Sequence, residues 1–186
     1  MDTYKKFFIQ QHQYDGSSYT NVGDVVETNA RWNVVCQEFP FKHLPEPKDL
    51  PERAWNDENG KDVFIPSDGI KFNAYEVEAK FLYVGQKANI ASDLKSFIDF
   101  IYGRINIVNG SVVNNANTKK NVFLKIYDEY TETGRRCVYP KSVDDDLYVS
   151  NDYNIKAIAQ FKVKFRVTDP VYSVSHTVSN NKDVLS

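Results

Sequence analysis

One segment, residues 160–170, restricts what this chain can fold into more than any other. Its sequence is QFKVKFRVTDP, in which polar and apolar residues alternate strictly from Gln160 to Val167 before Asp169-Pro170 ends the pattern. Alternate side chains of a β-strand point to opposite faces, so the segment predicts one long strand with an apolar face for a core and a second, cationic face. The cationic residues are Lys162, Lys164 and Arg166.

A second strand of the same kind and one helix are predicted from residues 70–103. In residues 70–84, Tyr75, Phe81 and other apolar residues alternate with a polar row that includes Glu76 and Glu78. In residues 89–102 the apolar spacing changes to that of one helical face. We therefore expect a helix over about 91–103, ended by Gly103, and then a hairpin at Asn109-Gly110.

The composition favours strands over helices. Of 186 residues, 12 are Tyr and 12 are Phe, residues that fit half-buried sheet surfaces. We predict a single β-rich α+β domain over 1–186: a split β-barrel or sandwich of mostly antiparallel strands with one flanking helix. Residues 43–62 are expected to form a Pro-rich loop or insertion anchored by Trp55, and residues 171–186 a flexible C-terminal arm ordered by a partner.

Charge and motif content argue against several classes of function. The formal net charge is -2, which disfavours sequence-specific nucleic-acid binding, and no apolar run predicts a signal peptide or membrane span. Cys36 and Cys137 are expected to be reduced in a cytoplasm. His12, His43 and His176 lack the paired spacing of metal ligands, and Asp144-Asp145-Asp146 is interpreted as a solvated loop.

No catalytic signature occurs, so we expect neither an enzyme nor a cofactor, metal ion or small-molecule substrate. Two alternatives stay open. Two of the 25 acidic residues could come together in the fold as a glycosidase pair. Exposed tyrosines could instead stack on sugars in a carbohydrate-binding β-sandwich module.

The order of these elements resembles that of tailed-bacteriophage tail proteins of the split-barrel type, which include tail-tube and distal-tail subunits. The likeness covers about residues 53–172 and is greatest to tail proteins of phages or prophages of Bacteroides-type bacteria. The segments that carry it are RAWNDENGKDVFIP, FNAYEVEAKFLYVG, DLKSFIDFIYG, NVFLKIYDEYTETGRRCVYP and FKVKFRVTDPVY.

This resemblance implies a structural subunit that forms homo-oligomeric rings around a DNA channel and contacts other tail proteins. It places the protein in the virion tail after folding in the host cytoplasm. The basic row on residues 160–170 then has two arrangements: it faces the channel, or it pairs with Glu76 and Glu78 on a neighbouring strand. We favour pairing, because opposite charges on facing strands stabilise each other.

Overall fold

The computed structural model describes residues 5–56, 59–115, 122–150 and 156–186. The strands are β1 (Phe7–Tyr14), β2 (Tyr19–Glu27), β3 (Val34–Glu38), β4 (Glu52–Arg53), β5 (Asp62–Val63), β6 (Tyr75–Gln86), β7 (Ile105–Val108), β8 (Ser111–Asn114), β9 (Val122–Asp128), β10 (Thr133–Ser150), β11 (Lys156–Val167), β12 (His176–Ser179) and β13 (Lys182–Leu185). The helices are α1 (Thr28–Trp32) and α2 (Ile90–Ile101), the latter preceded by a 3₁₀ turn at Lys87–Asn89.

Seven strands form one antiparallel sheet in the order β2-β1-β9-β10-β11-β6-β3. With one main helix beside this sheet, the predicted β-rich α+β class is confirmed. The two edge strands, β2 and β3, do not pair with each other in the described part of the chain, so the sheet is not a closed barrel.

The two long strands predicted from alternation lie side by side. β6 and β11 pair without a register shift from Lys156 opposite Gln86 to Val167 opposite Tyr75. Most of their apolar residues share one face and are buried there, and the Phe81 and Phe161 rings stack with centroids 5.6 Å apart; Leu82, Val84 and Ile158 lie on the other face. The polar residues of both strands occupy the other face, as the strand period requires.

The sheet curves strongly around this core. Phe7 on β1 and Phe81 on β6 are four strand spacings apart, roughly 19 Å in a flat sheet. Their ring centroids are 5.7 Å apart, so the two strands face each other across the interior. The edges are also close, because α1 alone joins the end of β2 to the start of β3 and a five-residue helix is about 7.5 Å long.

α2 packs against the core as its apolar spacing predicted. Leu94, Phe97, Phe100 and Ile101 are buried, and the Phe97 ring contacts Trp32, Phe81 and Phe161. Gly103 follows the helix with φ +71°, a conformation that favours glycine. The predicted hairpin is also present: Asn109 and Gly110 both have positive φ and join β7 to β8. No helix in the described ranges is long and apolar enough to cross a membrane.

The C-terminal segment differs from the expected flexible arm. β12 and β13 form a hairpin on the outer face of β1, where Val174 and Leu185 are buried with Phe8. The His176 ring stacks on Phe8 at 4.1 Å. The turn between these strands, Asn180-Asn181, has positive φ at both residues, which asparagine tolerates well. Few apolar side chains hold this hairpin, which is why the sequence pattern was too weak to predict it.

Two smaller expectations also differ from the structure. The aspartates 144–146 lie inside β10 rather than in a loop, at a register shift between Asp144 and Tyr148. The side chains of Asp145 and Asp146 lie outside the described residues. Trp55 is 42% exposed and does not anchor its loop to the core.

Candidate assembly surfaces

The polar face of β6 and β11 contains all five residues predicted as contacts. In the strand register, Lys164 lies opposite Glu78 and Arg166 lies opposite Glu76. Lys162 Nζ lies 2.8 Å from Glu78 Oε1, and Arg166 Nη1 lies 3.2 Å from Glu76 Oε1. The structure therefore brings the basic row of one strand onto the acidic residues of its neighbour within the same chain.

Further charged pairs extend this face to β3 and β10. Lys80 Nζ lies 2.6 Å from Glu38 Oε2, and Lys141 also pairs with Glu76. The hydrogen bond from Lys141 lowers the pKa of Glu76, and that from Lys162, with the charge of Lys164, lowers the pKa of Glu78. Positive and negative groups alternate across the face, so it is not a cationic stripe of the kind that holds nucleic acid.

A long arm projects between β3 and β6; we use "arm" for residues 43–73. Its two legs run antiparallel: the amide of Lys48 donates to the carbonyl of Lys71 at 2.8 Å, and the amide of Asn73 donates to the carbonyl of Glu46 at 2.8 Å. Further out, β4 pairs with β5. The expected 43–62 loop is thus part of a longer two-legged structure.

The arm exposes more large apolar side chains than any other described segment. None of them belongs to either buried cluster. The exposed fractions are 92% for Leu44, 42% for Trp55, 45% for Val63, 65% for Phe64, 58% for Ile65 and 44% for Ile70. Contiguous exposed apolar surface on a monomer commonly marks an interaction site.

The outer part of the arm is held by its own contacts. The Arg53 guanidinium lies 3.6 Å from the centre of the Trp55 ring, and Trp55 Nε1 donates to Asp62 Oδ2 at 2.9 Å. Lys61 pairs with Glu52 at 2.7 Å. A depression of about 330 Å³ is lined by Glu52, Arg53, Trp55 and Asp62 together with Pro51, Val63 and Phe64. The arm therefore presents its apolar side chains on a locally ordered scaffold.

A second exposed apolar surface lies on the β7–β8 hairpin. Val108, Val112 and Val113 are 39%, 52% and 44% exposed. The turn is fixed to the body, because the amide of Gly110 donates to Asp24 Oδ2 at 2.8 Å and Arg31 Nη1 donates to the Gly110 carbonyl at 3.2 Å. In the described part of the chain the strand partner of β8 is β7.

Two buried titratable residues, His12 and Cys137, lie next to each other. His12 is fully buried, and its Nε2 accepts a hydrogen bond from the backbone amide of Cys137 at 3.1 Å. Burial, reinforced by the charges of Lys125 and Arg136, lowers the pKa of His12 to about 4. Burial also raises the pKa of the Cys137 thiol, which removes the thiolate needed by a nucleophile.

Cys36 and Cys137 are both free thiols, and His176 pairs with Asp183 on its own hairpin. Within the described residues, no three His, Cys, Asp or Glu side chains group as metal ligands would.

Sequence reasoning found the charged face but missed the arm as a surface. The signal was present in the segments VFIP and GIKF, whose apolar residues lie between Pro, Gly and charged residues. Comparison of the chain with models of known protein families and with curated proteins finds no match.

Proposed function

We propose that this protein is a non-enzymatic structural subunit of a phage or prophage tail, which assembles with its own copies into rings around a DNA channel. The observation that carries the proposal is the arm, whose large apolar side chains have no cover in the chain's own core. A monomer with such a surface is at risk of non-specific association, whereas a subunit buries it against a neighbour.

The shape and charge of the sheet support the same role. The sheet is curved and open, with edge strands that a ring could use as bonding surfaces. Its polar face is covered by ion pairs such as Lys162–Glu78, and the chain has a net charge of -2. A sheet face with this charge would not bind DNA through its phosphate groups. The choice of a phage-tail ring as the particular assembly rests on the resemblance to split-barrel tail proteins.

The test compares the whole chain with a variant that lacks the arm. Glu46 and Asn73 are joined by a backbone hydrogen bond, so residues 47–72 can be replaced by a short Gly-containing turn without separating β3 from β6. We expect the whole chain to form oligomers in sedimentation velocity and rings in negative-stain images. The armless variant should fold and stay monomeric. A whole chain that is strictly monomeric at high concentration would overturn the proposal.

A carbohydrate-binding module is the second candidate, favoured by a group of exposed tyrosines. Tyr14, Tyr19 and Tyr172 are 40%, 41% and 39% exposed. The Arg136 guanidinium lies 3.5 Å from the centre of the Tyr172 ring and pairs with Asp169. Aromatic faces beside such polar groups suit sugar rings. A monomer that binds glycans on an array, and loses binding on Tyr172→Ala, would favour this function over the tail subunit.

A further inference from the structure

A cavity of about 440 Å³ lies where β2 meets the turn of the β7–β8 hairpin and the turn of the C-terminal hairpin. Its volume falls within the range of sites that hold small molecules, about 300–1,000 Å³. The residues that line it come from β1, β2, the β7–β8 turn and residues 181–184, so the cavity exists only in the folded chain.

The walls of this cavity are held by contacts between the elements. Asp24 Oδ2 accepts a hydrogen bond from the amide of Gly110 at 2.8 Å, which ties β2 to the β7–β8 turn. On the C-terminal hairpin, Asp183 Oδ1 lies 2.9 Å from His176 Nε2. The cavity is therefore bounded by ordered polar groups.

Gln10 forms the floor and has a buried acceptor without a partner. It is 7% exposed and is the most buried of the residues that line the cavity. Its Nε2 donates to the carbonyl of Gly23 at 3.0 Å, which fixes the orientation of the amide group, because a carbonyl can only accept. In the described part of the chain Gln10 Oε1 has no hydrogen-bond partner. A buried acceptor left unpaired is unfavourable, so this atom points to a ligand that donates.

The rest of the lining offers donors and acceptors of both charges. Asp24 and Asp183 supply carboxylates, Lys182 supplies an ammonium group, and Asn109 and Asn181 supply carboxamides. A cationic ligand would lie close to Lys182, and an anionic ligand close to two carboxylates. Hydroxyl groups suit such a lining better, because each one both donates and accepts without a net charge.

We propose that this cavity binds one unit of a neutral sugar, with its hydroxyls on Gln10 Oε1 and the polar rim and its C–H face against Val25 and Val184. The proposal goes beyond the proposed function and does not depend on it. The site is also separate from the exposed tyrosines, none of which lines the cavity. A sugar bound here would therefore still bind to the Tyr172→Ala variant.

Nuclear magnetic resonance of the ¹⁵N-labelled chain tests the site and the ligand class together. The probes are the methyl glycosides of glucose, galactose and mannose, together with N-acetylglucosamine. We expect at least one of them to shift the amide signals of Gly23, Val25 and Gly110, with a dissociation constant of about 1–10 mM. No shift at these amides up to about 100 mM of any probe would overturn the proposal. So would shifts there with agmatine, a cationic guanidine, but with none of the sugars.

The β12–β13 turn offers a matched pair of variants. Asn180 and Asn181 are adjacent and both have positive φ, which aspartate also tolerates, but only Asn181 lines the cavity. Asn181→Asp replaces a group that donates and accepts with one that only accepts. We expect it to weaken binding of the sugar at least about 5-fold, the effect of one lost hydrogen bond. Asn180→Asp should bind like the unchanged chain, and equal affinities of the two variants would contradict the assignment.

Discussion

Gln11 joins three elements through one buried side chain. It is fully buried on β1, and its Nε2 lies 2.7 Å from both the Phe100 carbonyl at the end of α2 and the Ile105 carbonyl at the start of β7. Gln11→Leu keeps the volume but leaves two carbonyls without this donor. We expect a loss of about 2–4 kcal/mol in the free energy of unfolding, measured by urea denaturation.

The control for this change is Gln13→Leu, at a half-buried residue on the same face of β1. It should alter the free energy of unfolding much less. Equal losses from the two substitutions would show that Gln11 acts through packing alone, rather than through its hydrogen bonds.

His12 makes stability depend on pH. The unfolded chain binds a proton at this imidazole with a pKa near 6.5, whereas the folded chain keeps it neutral down to about pH 4. The contribution of neutral His12 to the free energy of unfolding is complete above about pH 6.5 and is lost as pH falls towards 4. The loss is about 3 kcal/mol at most. We expect a shallower decline in the free energy of unfolding for His12→Gln over this range; parallel curves would contradict the assignment.

At the scale of elements, the C-terminal hairpin is a stabilising part of the fold. Removing residues 176–186 takes away Leu185 and the His176 ring, and so exposes Phe8 on the outer face of β1. We expect a lower melting temperature by circular dichroism, because apolar surface returns to water. Val184→Ala, at a residue 37% exposed on the same hairpin, should change the melting temperature little. An unchanged melting temperature after truncation would show that the hairpin adds no stability.

Elements with strong local patterns could be predicted from the sequence, and those that depend on distant contacts could not. β6, β11 and α2 each repeat one period over 12 residues, and Asn109-Gly110 suits one turn type. α1 has only five residues and is held by Trp32, which packs on Phe97 and Phe100 from α2. Such a helix is a consequence of tertiary packing.

The charged face could likewise be predicted from a local pattern, whereas the exposed apolar surface of the arm could not. The pairing of Lys162 and Arg166 with Glu78 and Glu76 follows from alternation, once the two strands are neighbours. The exposure of Phe64 and Ile65 depends on whether the arm folds back onto the core, which no local pattern decides.

At the scale of the whole molecule, the arm and the sheet should differ in backbone protection. β6 lies between β11 and β3, while the arm's legs are joined by a few hydrogen bonds and bury no core residue. In the monomer we expect amide hydrogens of residues 46–73 to exchange before those of β6 and β11. On assembly the exchange around Val63 and Phe64 should slow. Hydrogen exchange read by mass spectrometry measures both, and an arm that is unprotected in the oligomer would contradict its proposed burial against a neighbouring copy.

The strand order also has a consequence for synthesis on the ribosome. β1 pairs with β9, with Phe8 opposite Tyr127. This pairing cannot form until β9 has been synthesised. β6 likewise pairs with β11, which is the last strand of this sheet to be made. Until then β1 can pair only with β2 and β6 only with β3, so each of these apolar strands keeps one unpaired edge, which is a hazard for premature association.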